Sequence, residues 1–179
     1  WFHNGGGTGM GSVASNIFDG GMSADNATDL LIQNAGVAIG ANNAFAGDTF
    51  FIDNQSTTDY DLSSNGTTFD EVNNFRIEDK IHHVVDIDLA LTNGLVTWVA
   101  GNIFVTNGGT DHSVQRGVDA ASIGNTVNVE AGTYAEDLLI GTQGVKVIGA
   151  GAASTIIDYA GKPGNNNGGV YIAADDVEL

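Results

Sequence analysis

Between Ser122 and Leu179 the sequence runs through short apolar alternations, each closed by glycine or a small polar turn. No other feature constrains the fold as tightly. Val127 and Val129 alternate with Thr126, Asn128 and Glu130; Leu138 with Ile140, Val145 with Val147, Ile156 with Ile157, Val170 with Ile172 and Val177 with Leu179 follow in quick order. A period of two puts successive side chains on opposite faces of a strand. The connections, roughly four to seven residues, are too short for the helical crossovers of an ordinary parallel sheet. Two architectures fit. One is an antiparallel sandwich. The other is a parallel coil, in which each strand turns a corner and pairs with the strand one circuit later, so that every rung covers its neighbour's edge. The step from Val127 to Ile156 is a plausible circuit of three strands with one loop insertion.

Composition agrees with many short strands. With 26 Gly, one Pro and 42% hydrophobic residues in 179, the chain suits a packed fold of one domain or two small ones. Upstream, "LLIQNAGVAIG" reads as two strands with a tight turn at Asn34 to Gly36, and "DTFFIDN" as a further strand. "FDEVNNF" fits a short helix or a bent edge strand. "LVTWVAGNIFVTNG" reads as a hairpin or two successive strands around Gly101-Asn102. The best helix lies near 112–122. Asp111 or Ser113 can cap it, Val114, Val118 and Ala121 form one apolar stripe, Gly117 weakens it by about 1 kcal/mol relative to Ala, and Gly124 ends it.

Residues 113 to 158, "SVQRGVDAASIGNTVNVEAGTYAEDLLIGTQGVKVIGAGAASTIID", resemble the opening of a right-handed parallel β-helix of the pectin-lyase-like type. The shared pattern is a short "S-[IV]-Q-x-x-[IV]-x-x-A" helix, then "G-[DN]-T-V-x-V-x-x-G-x-Y-x-E", "[IV]-x-I-x-G-x-G" and "T-I-I-D", with Asn125 where Asp is commonest. The resemblance covers about a quarter of the chain and implies an all-β fold, a right-handed parallel β-helix whose short helix near 112–122 closes the apolar end of the coil. The segment from Asn34 to Thr106 resembles the junction between tandem β-helix modules of very large bacterial surface proteins. That implies a β-rich segment over 1–106, the end of one module plus an irregular junction, and the start of a second β-helix over 107–179. "GDTFFID" and "NNFRIEDKI" also resemble the C-terminal flank of calcium-binding RTX proteins, without their nonapeptide array. The opening on Trp1 and the strand broken at Leu179 lead to the expectation of an internal piece of a longer protein.

The charge narrows the partners. Twenty-two acidic residues against five Lys plus Arg give a formal −17. That charge disfavours nucleic acid and anionic membrane surfaces, and no stretch is long and apolar enough to insert in a membrane. The absence of Cys excludes disulfides and thiolate metal sites. A secreted or cell-surface location is expected.

Chemistry is hard to place. Arg76 and Arg116 are the only arginines. His82 and His83 are adjacent, so on a strand they face opposite sides and do not chelate one ion together; both are expected at the surface. His3 and His112 are isolated. "GGGTGMG" lacks the Lys-Ser/Thr ending of a phosphate loop. Calcium is the expected cofactor, since it takes oxygen ligands. Asp53, Asp59 and Asp61 gather in "FIDNQSTTDYD". Asp86 and Asp88 share a strand face, where two carboxylates repel unless a cation sits between them.

These readings point to a non-catalytic structural or adhesive module, partnered by neighbouring modules of the same chain, by copies of itself or by surface polysaccharide. The alternatives are a fragment of a secreted polysaccharide lyase or glycoside hydrolase, and an RTX-type calcium-binding exported protein.

Overall fold

The computed structural model describes residues 2–3, 11–19, 28–47, 49–86, 92–108, 112–159 and 169–179. The chain divides into two compact units, Trp1–Ala100 and Gly101–Leu179. Each is a parallel β-solenoid, and every strand pair among the described residues is parallel. The parallel pairing rules out the sandwich.

In unit 1 the circuits read directly along the chain. The first holds β1 (Phe2–His3), β2 (Gly11–Val13) and β3 (Ile17–Asp19). The second holds β4 (Thr28–Ile32), β5 (Val37–Ile39) and β6 (Ala44–Ala46). The third holds β7 (Phe50–Asn54), β8 (Tyr60–Asp61) and β9 (Thr68–Phe69). A helix, α1 (Asn74–Glu78), then leads to β10 (Ile81–His82) and β11 (Val96–Thr97). Strands one circuit apart stack into walls: β1-β4-β7-β10 on one side, β3-β6-β9 on another, β2-β5 and β8-β11 on the third.

Equivalent residues therefore sit on one another. Leu30 pairs with Ile52 and Ile52 with Ile81, an aliphatic column in which each side chain is 1% exposed or less. Phe18 lies in register with Phe45, and Phe45 with Phe69. Their rings stack at centroid distances of 4.8 and 5.6 Å. Such offset aromatic pairs add about 0.5–1.5 kcal/mol beyond their burial.

Polar side chains bind circuits where the backbone cannot. Buried Asn54 donates to Thr58 O (3.0 Å) and to Gly94 O (2.9 Å), joining segments 40 residues apart. Gly94 is needed there, because a Cβ would collide with the Thr58 carbonyl. "LLIQNAGVAIG" indeed forms two strands, but they are consecutive walls of one circuit rather than hairpin partners. "LVTWVAGNIFVTNG" likewise holds two successive strands and no hairpin.

Unit 2 begins with β12 (Asn102–Val105), followed by α2 (Val114–Asp119), β13 (Thr126–Val129), β14 (Gly132–Tyr134), β15 (Leu138–Ile140), β16 (Lys146–Gly149), β17 (Thr155–Ile157) and β18 (Val170–Ile172). The walls are β12-β13-β16, β14-β17 and β15-β18. Val127 and Val129 point inward as expected. The circuit, however, closes from Val127 onto Val147, and Ile156 pairs with Thr133 on the outer face. The extra length falls later, between Ile157 at the end of β17 and Val170 at the start of β18. Val170 and Ile172 pair with inward Leu138 and Ile140 yet remain 40% and 46% exposed. Beside them lies an apolar cavity of about 510 Å³ lined by Val129, Leu138, Val147, Ile157 and Val170.

Helix α2 follows β12 and packs against β12, β13 and β15. Ser113 caps it, its side chain accepting from Arg116 N, and Asp111 lies outside the described residues. Val114, Val118 and Ala121 are buried as one stripe. The helix stops at Asp119 with Ala120 as its cap, before Gly124, whose φ of +79° serves the turn into β13. Gly117 has a purpose that propensity hides. A Cβ there would come within 2.5 Å of Val105 Cγ2 and 3.1 Å of Val127 Cγ1. The missing side chain is what lets the helix lie on the strands.

Candidate functional site

Among the described residues, one group of His and acidic side chains comes close enough to act together: Glu78, His83 and Asp86, with ligand atoms within 4.8 Å of one another. Local sequence builds it. Asn73 caps α1, its Oδ1 accepting from Phe75 N at 2.9 Å. The five-residue helix ends on Glu78 and buries it beside Ile77. From β10 onward Ile81, His83 and Val85 alternate inward, while His82 and Val84 are only partly covered. The turn after β10 brings Asp86 back, with Asp86 N donating to His83 O at 3.0 Å.

The hydrogen bonds fix the protons. His83 is 1% exposed, a correction to its expected surface position; the apolar neighbours at Ile81 and Val85 explain it. Its Nδ1 accepts from Val96 N at 2.9 Å. In a neutral imidazole the other nitrogen then carries the hydrogen, so Nε2 donates to Glu78 Oε1 at 2.8 Å. Asp86 Oδ2 accepts from His83 N at 3.1 Å and lies 3.9 Å from Nε2. Glu78 Oε2 is buried and has no hydrogen-bond partner.

The electrostatics follow from burial. Desolvation, and then Asp79 nearby, hold the Glu78 carboxyl well above the usual carboxylate range. Desolvation and then Glu78 push Asp86 up to about 7. Desolvation lowers His83, against the pull of Asp86. A sealed imidazole with Nδ1 tied to a backbone N–H is poorly placed to exchange protons with a substrate. Asp86, with a third of its side chain exposed, is the one member that meets solvent.

The other expected ligands are not brought together. Asp53 pairs with His82 across circuits (Oδ1 to Nδ1, 2.9 Å), and its Oδ2 accepts from Gln55. Asp59 accepts from Leu95 N at 2.8 Å. Asp61 accepts from Ser63 N at 2.9 Å, and hydrogen bonds from Ser63 lower its pKa. Asp88 lies outside the described residues. His82 and His83 do diverge, one to Asp53 and the other to Glu78.

A second carboxylate was missed as an organiser. Glu136 accepts from Ser113 Oγ (2.7 Å), Val114 N (2.6 Å) and Gln115 N (3.2 Å), closing the N-terminus of α2. Gln115 then reaches β15, accepting from Leu139 N at 2.7 Å and donating to Leu139 O at 3.1 Å. Comparison with known protein families, curated proteins and solved structures returns no match for this chain. No helix of the described residues is long and apolar enough to cross a membrane.

Proposed function

We propose that this chain is a non-catalytic structural and adhesive module of a long secreted or cell-surface protein, built from right-handed β-helices of the pectin-lyase-like kind. The observation that carries this reading is the meeting of the motif residues in unit 2. Ser113, Gln115 and Glu136, quoted above for the resemblance, join in one device that fastens the helix to the coil. Polar side chains elsewhere serve the same end: Asp53 with His82, Asn54 with Gly94 and Asn128 with Asn102 all bond one circuit to the next. A scaffold of this kind presents stacked outer faces to neighbouring modules, to copies of itself or to surface polysaccharide.

The test is incubation of the purified protein with pectin, alginate and neutral glycans, followed by assays for retention and for new unsaturated or reducing ends. Retention without cleavage is expected. Release of unsaturated sugars would overturn the reading in favour of a polysaccharide lyase, and new reducing ends alone in favour of a hydrolase.

A further inference from the structure

The Glu78–His83–Asp86 group has two carboxyls and a single hydrogen-bond donor side chain between them. That donor, His83 Nε2–H, is spent on Glu78 Oε1. The other Glu78 oxygen is buried without a partner, on a residue 2% exposed. Buried carboxyl oxygens are normally paired, protonated or bound to a cation. The neighbouring cationic side chains are engaged elsewhere: Arg76 with Asp79 at 2.6 Å and Lys80 with Glu71 at 3.3 Å. These side chains bring no positive charge to the pair of carboxyls, which is left to bind either protons or a cation.

The tautomer decides which class of ion fits. A metal on His83 Nε2 would require both ring nitrogens to be without hydrogen, since Nδ1 already accepts from Val96 N. Nitrogen-seeking ions such as Zn²⁺ are therefore poorly served. Oxygen ligands remain, and these suit a hard cation that tolerates irregular geometry and completes its shell with water. Asp86 supplies the solvent-facing side through which water and ion would enter.

We propose that Glu78 Oε2 and the Asp86 carboxylate hold a divalent cation of the calcium class at the turn after β10. His83 is the positioning residue, its Nε2–H fixing the orientation of the Glu78 carboxyl. The site stands apart from the scaffold reading, and either can fail alone.

The experiment is calorimetric titration of the chelator-treated full chain with CaCl₂ at physiological salt, for the wild type, Asp86→Asn and Glu78→Gln. One saturable Ca²⁺ per chain is expected, lost in both variants. Calcium should also slow hydrogen exchange at the Val96 amide of the wild type, because it stiffens the ring that accepts from it. This readout holds even if Glu78→Gln does not fold. Absence of saturable binding, binding unchanged in Asp86→Asn, or unaltered Val96 exchange would each overturn the site. A ZnCl₂ arm that binds more tightly than Ca²⁺, and is lost in the same variants, would overturn the oxygen-only ligand set.

Discussion

Two glutamates, each at a helix end, are treated in opposite ways by the two units. Glu136 receives three donors at the start of α2. Glu78 receives one, at the end of α1, and keeps an oxygen without a partner. A carboxylate at a helix N-terminus meets backbone N–H groups that have no intrahelical acceptor, so its charge is matched by the fold itself. At a helix C-terminus the nearby unpaired groups are carbonyls, and a carboxyl there must keep its proton or find a cation elsewhere. The first arrangement is complete with protein atoms. The second leaves capacity for something added.

The largest expected effect tests the complete arrangement. Glu136→Ala should lower the local stability of α2 by about 3 kcal/mol, since hydrogen bonds to a charged group are lost together. Glu136→Gln should cost roughly half as much. Hydrogen exchange at Val114 and Gln115 reads both values, and unchanged protection would show that the carboxylate does not hold the helix. Gly117→Ala comes next. The alanine gains about 1 kcal/mol of helix propensity, but the crowding against Val105 and Val127 should leave a net loss of about 1–2 kcal/mol in urea unfolding. A stabilised variant would mean that the helix can lift off the strands.

The incomplete arrangement should respond less. With chelator present, Glu78→Gln should stay within about 1 kcal/mol of the wild type, because removing a poorly matched buried carboxyl relieves as much as it loses. A loss as large as that of Glu136→Ala would erase the contrast. The smallest effect is the pH dependence, again in chelator. Glu78 and Asp86 keep protons in the folded state that the unfolded chain releases above about 4, so their contribution to stability falls as pH rises toward 7. His83 acts oppositely: unfolded, it gains a proton below 6.5 that the folded state resists. Two groups outweigh one, so unit 1 should lose stability from pH 5 to 7.5. Asp86→Asn should flatten that decline in thermal melts, and an equally steep decline would remove Asp86 from the account.

Much of the fold was readable because period-two alternation is local. Val127 with Val129, Leu138 with Ile140 and the Val114–Val118–Ala121 stripe needed only neighbouring residues. The pairing of Val127 with Val147 was not readable in that way. In a coil the partner is set by where the circuit closes; the polar run before Val170 is visible in the sequence, but nothing local says which strands close the circuit ahead of it. Gly117 was misread because propensity describes an isolated helix, whereas its value here lies in contact with two strands. For His83 a signal was present. Ile81, His83 and Val85 alternate, which puts the imidazole on the apolar face and demands a polar partner there. Glu78, five residues back across the end of a helix, could be named as that partner only once the chain's path was known.

Gln115 has a consequence for how unit 2 can be lengthened. Its amide stands in for a missing strand, occupying both the N–H and the carbonyl of Leu139 on the helix side of β15. A duplicated circuit inserted on that side would have to evict the amide and unseat the helix. One added after β16 would displace no such plug. Growth of this ribbon by repetition, in evolution or in design, is therefore a one-way process.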